Sequence, residues 1–166
     1  MHIHDYQMYH GAALIQIAEH ERFTAINSLK VGGKLVRGAY LINTDIAISV
    51  KYASKPTKAF HEYLFQFTQS NLKELSAISK TNPKTFIALV CEKARGICCI
   101  SFNELQSLIV RREKEKGSSE SLYTILVTAG QGKSFRVYIN APGVKGTMLG
   151  KAFVVSRNGF PGLIFA

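Results

Sequence analysis

Acidic side chains are scarce in this chain. Eleven Asp and Glu stand against 21 Lys and Arg, a formal charge of +10 over 166 residues. An excess of that size favours anionic partners, with nucleic acid first, then acidic proteins or an anionic surface, and says nothing about the fold. Cysteine is equally sparse. Cys91, Cys98 and Cys99 make an odd count, two of them adjacent and all in apolar, strand-like runs. That pattern excludes a disulfide framework and fits reduced, buried thiols in a cytosolic protein. No CxxC pair occurs, which argues against a zinc site. No apolar run approaches the length needed to span a bilayer, so no membrane partner is expected. The opening Met-His-Ile-His-Asp-Tyr has no basic region leading into an apolar core, and a secretory signal is not expected. These absences together point to a cytoplasmic location. What is present is 46% apolar residues, enough for a real core, in a length that suits one domain spanning 1–166. Its expected core covers about 11–116, followed by a hairpin and an apolar tail over 117–166.

One stretch organises the rest. In Asp45–Ser54, apolar Ile46, Ile48, Val50 and Tyr52 alternate with Asp45, Ala47, Ser49 and Lys51. A strand has period two, so one face is greasy and the other carries an acid, a hydroxyl and an amine. Before it, three- and four-residue spacing from about Gly11 to Leu29 predicts a helix, ended by Val31-Gly-Gly-Lys34. A strand is expected over about 35–43. After the central strand, Pro56 closes the ladder and a third strand runs about 62–68. Asn71 with Glu74 reads as a capping box for a helix to about Lys80. The apolar run 85–91 suits a strand buried on both faces. A charged turn at 92–96 leads to a short strand at 97–100. Ser101 with Glu104 is the best cap in the chain and starts a helix over about 102–116, with Leu105, Leu108 and Ile109 facing inward. Residues 122–128 and 134–140 alternate around a glycine-bearing loop and predict a hairpin. The expected class is α+β, a mixed α/β arrangement: a central mixed β-sheet flanked by helices, an αβββαβ-like core, then a helix and a C-terminal β-hairpin.

The order helix, strand, strand, strand, helix, strand, together with Ser49-Val-Lys51, resembles the core of the restriction-endonuclease-like PD-(D/E)XK superfamily over about residues 11–91. The resemblance is topological and degenerate. In that family two acids and a lysine gather at the edge of a bent sheet and hold divalent metal against a scissile phosphate; two carboxylates concentrate Mg²⁺, and the metal neutralises charge developing on phosphate. Carried over, the resemblance implies Asp45 as the first acid and metal ligand, Lys51 as the lysine, and Glu19 as a carboxylate lent by the first helix. Mg²⁺ or Mn²⁺ is implied only for an active enzyme. Position 49 is Ser where the second acid would stand, so a replacement such as Glu19 or Glu62 would have to be brought in by the fold.

The favoured reading is a nucleic-acid-binding protein with a nuclease-like core, in phage defence or DNA processing, contacting phosphate through Lys51, Lys55, Lys58, Lys133 and Arg136. Aromatic residues near Lys55 and Lys58, from Tyr40 to Phe67, are candidates to stack on bases or to fill the sheet core. An adaptor or homo-oligomer built through the apolar C-terminal segment and an active Mg²⁺-dependent nuclease are the two alternatives.

Overall fold

The computed structural model describes the whole chain, Met1–Ala166, as an α+β fold of two sheets and three helices. The first sheet has the order β1 (Ile26–Val31), β2 (Lys34–Ile42), β3 (Ile46–Ala53), β5 (Lys84–Cys91) and β6 (Gly96–Ser101). Its one parallel pair is β3 with β5, in register from Ile46 opposite Lys84 to Ala53 opposite Cys91. A parallel pair needs a long crossover. Here it contains β4 (Glu62–Thr68) and α2 (Gln69–Thr81). The second sheet runs β4, β7 (Leu122–Thr128), β8 (Phe135–Tyr138), β9 (Phe153–Val155), all antiparallel.

Helix α1 (Asp5–Ala18) covers one face of the first sheet. Its Ala13 and Ile17 pack with Ile46, Ile48 and Val50 of β3, and Phe160, Ile164 and Phe165 from the end of the chain complete this core. The opposite face meets the second sheet. Ile87, Leu89, Cys98 and Ile100 pack there against Tyr63, Phe65 and Phe67 of β4 and Ile125 and Val127 of β7. Helix α3 (Phe102–Lys116) seals that core with Leu105, Leu108 and Ile109. The wholly apolar 85–91 run is explained: β5 is central and buried on both faces, as such runs are in covered sheets.

Three expectations need correction. The helix expected over 11–29 stops at Ala18, and Ile26–Leu29 lies in β1. Gly32 and Gly33 have φ of 57° and 77°. Two consecutive left-handed residues make a tight hairpin turn between β1 and β2, so these glycines join two strands and do not end a helix. The strand at 62–68 leaves the first sheet for the second, so α1, β1, β2, β3, α2 and β5 carry the αβββαβ order. The α2 cap is Thr68, with Asn71 at the third helical position closing the box. Asn71 itself is inside the helix.

Candidate nucleic-acid interface

The catalytic set expected from the resemblance does not converge. Asp45 lies just before β3, exposed, with its carboxylate 3.8 Å from Lys84. Lys51 is six positions further along the same strand, about 20 Å at 3.3 Å per residue. Glu19 caps the C-terminus of α1, on the side of the sheet that Ile46, Ile48 and Val50 face; Lys51, of opposite parity, points to the other side. Glu62 is buried on β4, and its side chain faces away from the sheet interface that Tyr63, Phe65 and Phe67 fill. No group of three or more His, Cys, Asp and Glu is positioned to hold a metal ion. The strand does offer Ser49 and Lys51 to one side, but to a cleft of about 220 Å³ under α2, beside Asn71 and Glu74. The Lys51 ammonium sits 4.7 Å from the centre of the Phe67 ring. Burial pulls its pKa below the usual lysine range, and the Glu74 carboxylate offsets part of that. Lys51 in turn adds to the burial that lowers His10.

The other predicted cations are brought together. Lys55 and Lys58 are exposed on the loop from β3 to β4. That loop is tied to the β5–β6 turn, since the Lys93 amide donates to the Ser54 carbonyl at 3.1 Å and the Glu92 amide to that of Ala53 at 3.0 Å. The same turn is pinned to β4, because the Ala94 amide donates to the Tyr63 hydroxyl at 2.9 Å. The β7–β8 hairpin arrives beside the start of β4: Glu62 pairs with Thr128, and Thr128 with Arg136. Lys133 is in its loop. Three loops from both sheets, with the start of β8 beyond the last of them, therefore bring Lys55, Lys58, Lys93, Arg95, Lys133 and Arg136, all exposed, to one end of the molecule.

No protein-family model, no curated protein and no solved structure matches this chain.

The acids at this end are withdrawn. Glu62 is 4% exposed and accepts a hydrogen bond from the Tyr138 hydroxyl. Glu92 is half-buried, with one carboxylate oxygen shut off from solvent. Most of the aromatic candidates belong to the core: Tyr63, Phe65 and Phe67 are buried in it, and Tyr40 is half-buried with its hydroxyl 3.3 Å from His10 Nδ1. Tyr52 packs against Tyr9 with ring centres 4.5 Å apart and planes tilted by 38°. Phe60, two residues after Lys58, is the one left 49% exposed among the basic loops. Lys93 and Arg95 were not singled out by sequence. The available signal was the charged turn itself, lying between two apolar strands that must reverse there. Arg157 is half-buried, and its guanidinium lies 4.5 Å over the Phe135 ring.

Proposed function

We propose that this protein binds nucleic acid through the basic end built from the β3–β4 loop, the β5–β6 turn and the β7–β8 hairpin. The observation that carries the reading is the gathering there of six exposed cations from segments far apart in sequence, with the two local acids buried or half-buried. Separated loops converging with one sign of charge create a field that a chain of phosphates satisfies and that solvation of a single charged helix face would not produce. The αβββαβ order carried by the first sheet supports a core of the restriction-endonuclease-like kind, and with it a role in phage defence or DNA processing. The separation of Asp45, Lys51 and Glu19 gives the active-nuclease alternative no set of metal donors to work with. For the adaptor alternative, Ile164 and Phe165 are occupied in the chain's own core, which leaves the C-terminal hairpin as its surface.

Fluorescence anisotropy with labelled single- and double-stranded DNA and RNA, across a salt series, tests this. On duplex DNA, log affinity should fall linearly with log salt, with a slope of about −4.5 to −5.5 if five or six phosphates are engaged. The triple variant Lys55→Glu/Lys58→Glu/Lys133→Glu should bind at least about tenfold more weakly and with a flatter slope. Wild-type affinity in that variant, or no binding by the native chain at low salt, overturns the proposal.

A further inference from the structure

The outer face of the second sheet carries a cavity of about 650 Å³, within the range of small-ligand sites. Leu64 of β4 and Leu126 of β7 pair directly across the strands and form its floor. The floor continues along β7 to Leu122, about 13 Å further on at the rise of a strand. The β3–β4 loop walls one side with Phe60, and the loop after Asn140 walls another with Val144. Phe60, Leu64, Leu122 and Val144 each keep 41–52% of their surface exposed. Apolar surface gathered around one depression fits an apolar occupant. Gly146 keeps the mouth in shape. Its φ is 76°, and a Cβ at that position would stand 2.6 Å from the Phe60 ring.

One charge breaks this apolar lining. Glu62 is almost wholly buried and shares a face of β4 with Leu64, two residues on. Phe60 is two residues before Glu62, so the ring and the carboxylate leave the chain at points no more than about 7 Å apart. Glu62 Oε2 accepts from the Tyr138 hydroxyl. Burial, and then the bond to Glu62, hold the Tyr138 phenol well above its usual pKa, so it stays a donor to that oxygen. Oε1 receives no hydrogen bond and, unlike Glu92 Oε2, is not shut off from solvent. Glu62 lines the cavity, so this oxygen opens into it. No Lys or Arg pairs with the carboxylate. A carboxylate set among hydrocarbon without a counter-ion destabilises the fold, and a cation brought by a ligand offsets that. The neighbouring cations do not supply it. Arg112 is closed on Glu120 at 2.8 Å, at the Leu122 end of the floor. Lys145 stands exposed on the loop after Asn140, where solvent and salt screen it.

We propose that this cavity binds a primary alkyl amine, whose ammonium group donates to Glu62 Oε1 beside the Phe60 ring and whose chain lies over Leu64 and Leu126 toward Leu122. The ring adds cation–π attraction at the head, and the buried methylenes supply most of the rest. An alcohol of the same length keeps the tail and one donor but brings no charge. A fatty acid sets like charge against Glu62. The ligand is opposite in charge to the partner proposed for the basic end, so the inference stands apart from that reading.

The test is titration calorimetry of the full chain with butylamine, hexylamine and octylamine, beside octanol and octanoate, near pH 7 where the amines are charged. Affinity should rise about fourfold for each added methylene, as burial of a CH₂ group does. Octylamine should bind at least about tenfold more tightly than octanol, because its hydrogen bond joins two charged groups, and octanoate should bind weakest. Phe60→Ala should weaken octylamine by about fivefold and octanol by less. Glu62→Gln should bring octylamine down to the level of octanol while octanol itself stays within about twofold, a split that general disturbance of the pocket would not give. If that variant does not fold, the head-group comparison on the native chain and Phe60→Ala still decide the matter. Octanol as tight as octylamine, octanoate tighter than either, or no rise with chain length overturns the proposal.

Discussion

Cys91, Cys98 and Cys99 lie in β5 and β6, between the two packed faces of the first sheet. Burial pushes the Cys91 thiol up to about 12 and the other two higher. A thiolate is the reactive form, so none of the three should react with a disulfide reagent at about pH 8 in the native state, and all three should react after denaturation. The same shifts set an alkaline limit. In the unfolded chain these thiols ionise near 9, while the folded chain keeps its protons to about 12 or beyond. Stability is therefore full below about pH 9 and falls as pH rises above it, because the unfolded state binds fewer protons. The urea midpoint should drop between about pH 8 and about pH 10. Lys51 gives a second check at this scale. It is turned into the cleft under α2, its ammonium 4.7 Å from the centre of the Phe67 ring, so Lys51→Met should leave nucleic-acid affinity within about twofold. The same change should raise the His10 pKa in an NMR titration, since it removes a nearby positive charge that helps to lower it.

The elements show which local signals suffice. Helix α3 was readable to its ends. The Ser101 hydroxyl accepts from the Glu104 amide at 3.1 Å, the Glu104 carboxylate accepts from the Ser101 amide at 2.9 Å, and Gly117 ends the helix at φ 81°. Ser101→Ala and Gly117→Ala should each cost about 1 kcal/mol in urea unfolding. Strand β4 was equally plain, since Tyr63, Phe65 and Phe67 alternate with Leu64 and Gln66. The 26–31 segment was not. Ala25, Ile26 and Leu29 extend a helical spacing begun in α1, yet only Leu29 among them is buried, in a small cluster with Ala39, Ala47 and Ile78. The pairing of β1 with β2 through the glycine turn decided the segment, and partners across a turn leave no trace in local periodicity. The same limit hid the fate of Asp45 and Lys51. Alternation could not show that Asp45 would fall in the turn before β3 and pair with Lys84, or that α2 would lie over Lys51.

At the scale of the whole molecule, function rests on which ends of the two sheets meet. From sequence, Lys55 and Lys58 read as a basic connection, and Lys133 and Arg136 as bases of the hairpin. Their convergence with Lys93 and Arg95 needs the β3–β5 crossover and the register of β4 on β7, neither of which a linear reading supplies. The last residues act at this scale too. Ile164 and Phe165 are buried against the α1 face, and Arg22 donates to the Phe165 carbonyl at 2.8 Å. Deleting 162–166 should cost about 3–5 kcal/mol, as the loss of two large core side chains does, and lower the urea midpoint accordingly. Protein synthesis then meets a constraint of timing. Helix α1 leaves the ribosome early, but the plug that finishes its docking site is made more than a hundred residues later. A nascent chain arrested before Phe160 should remain open to protease over α1, and a chain extended until Phe160, Ile164 and Phe165 have left the exit tunnel should not.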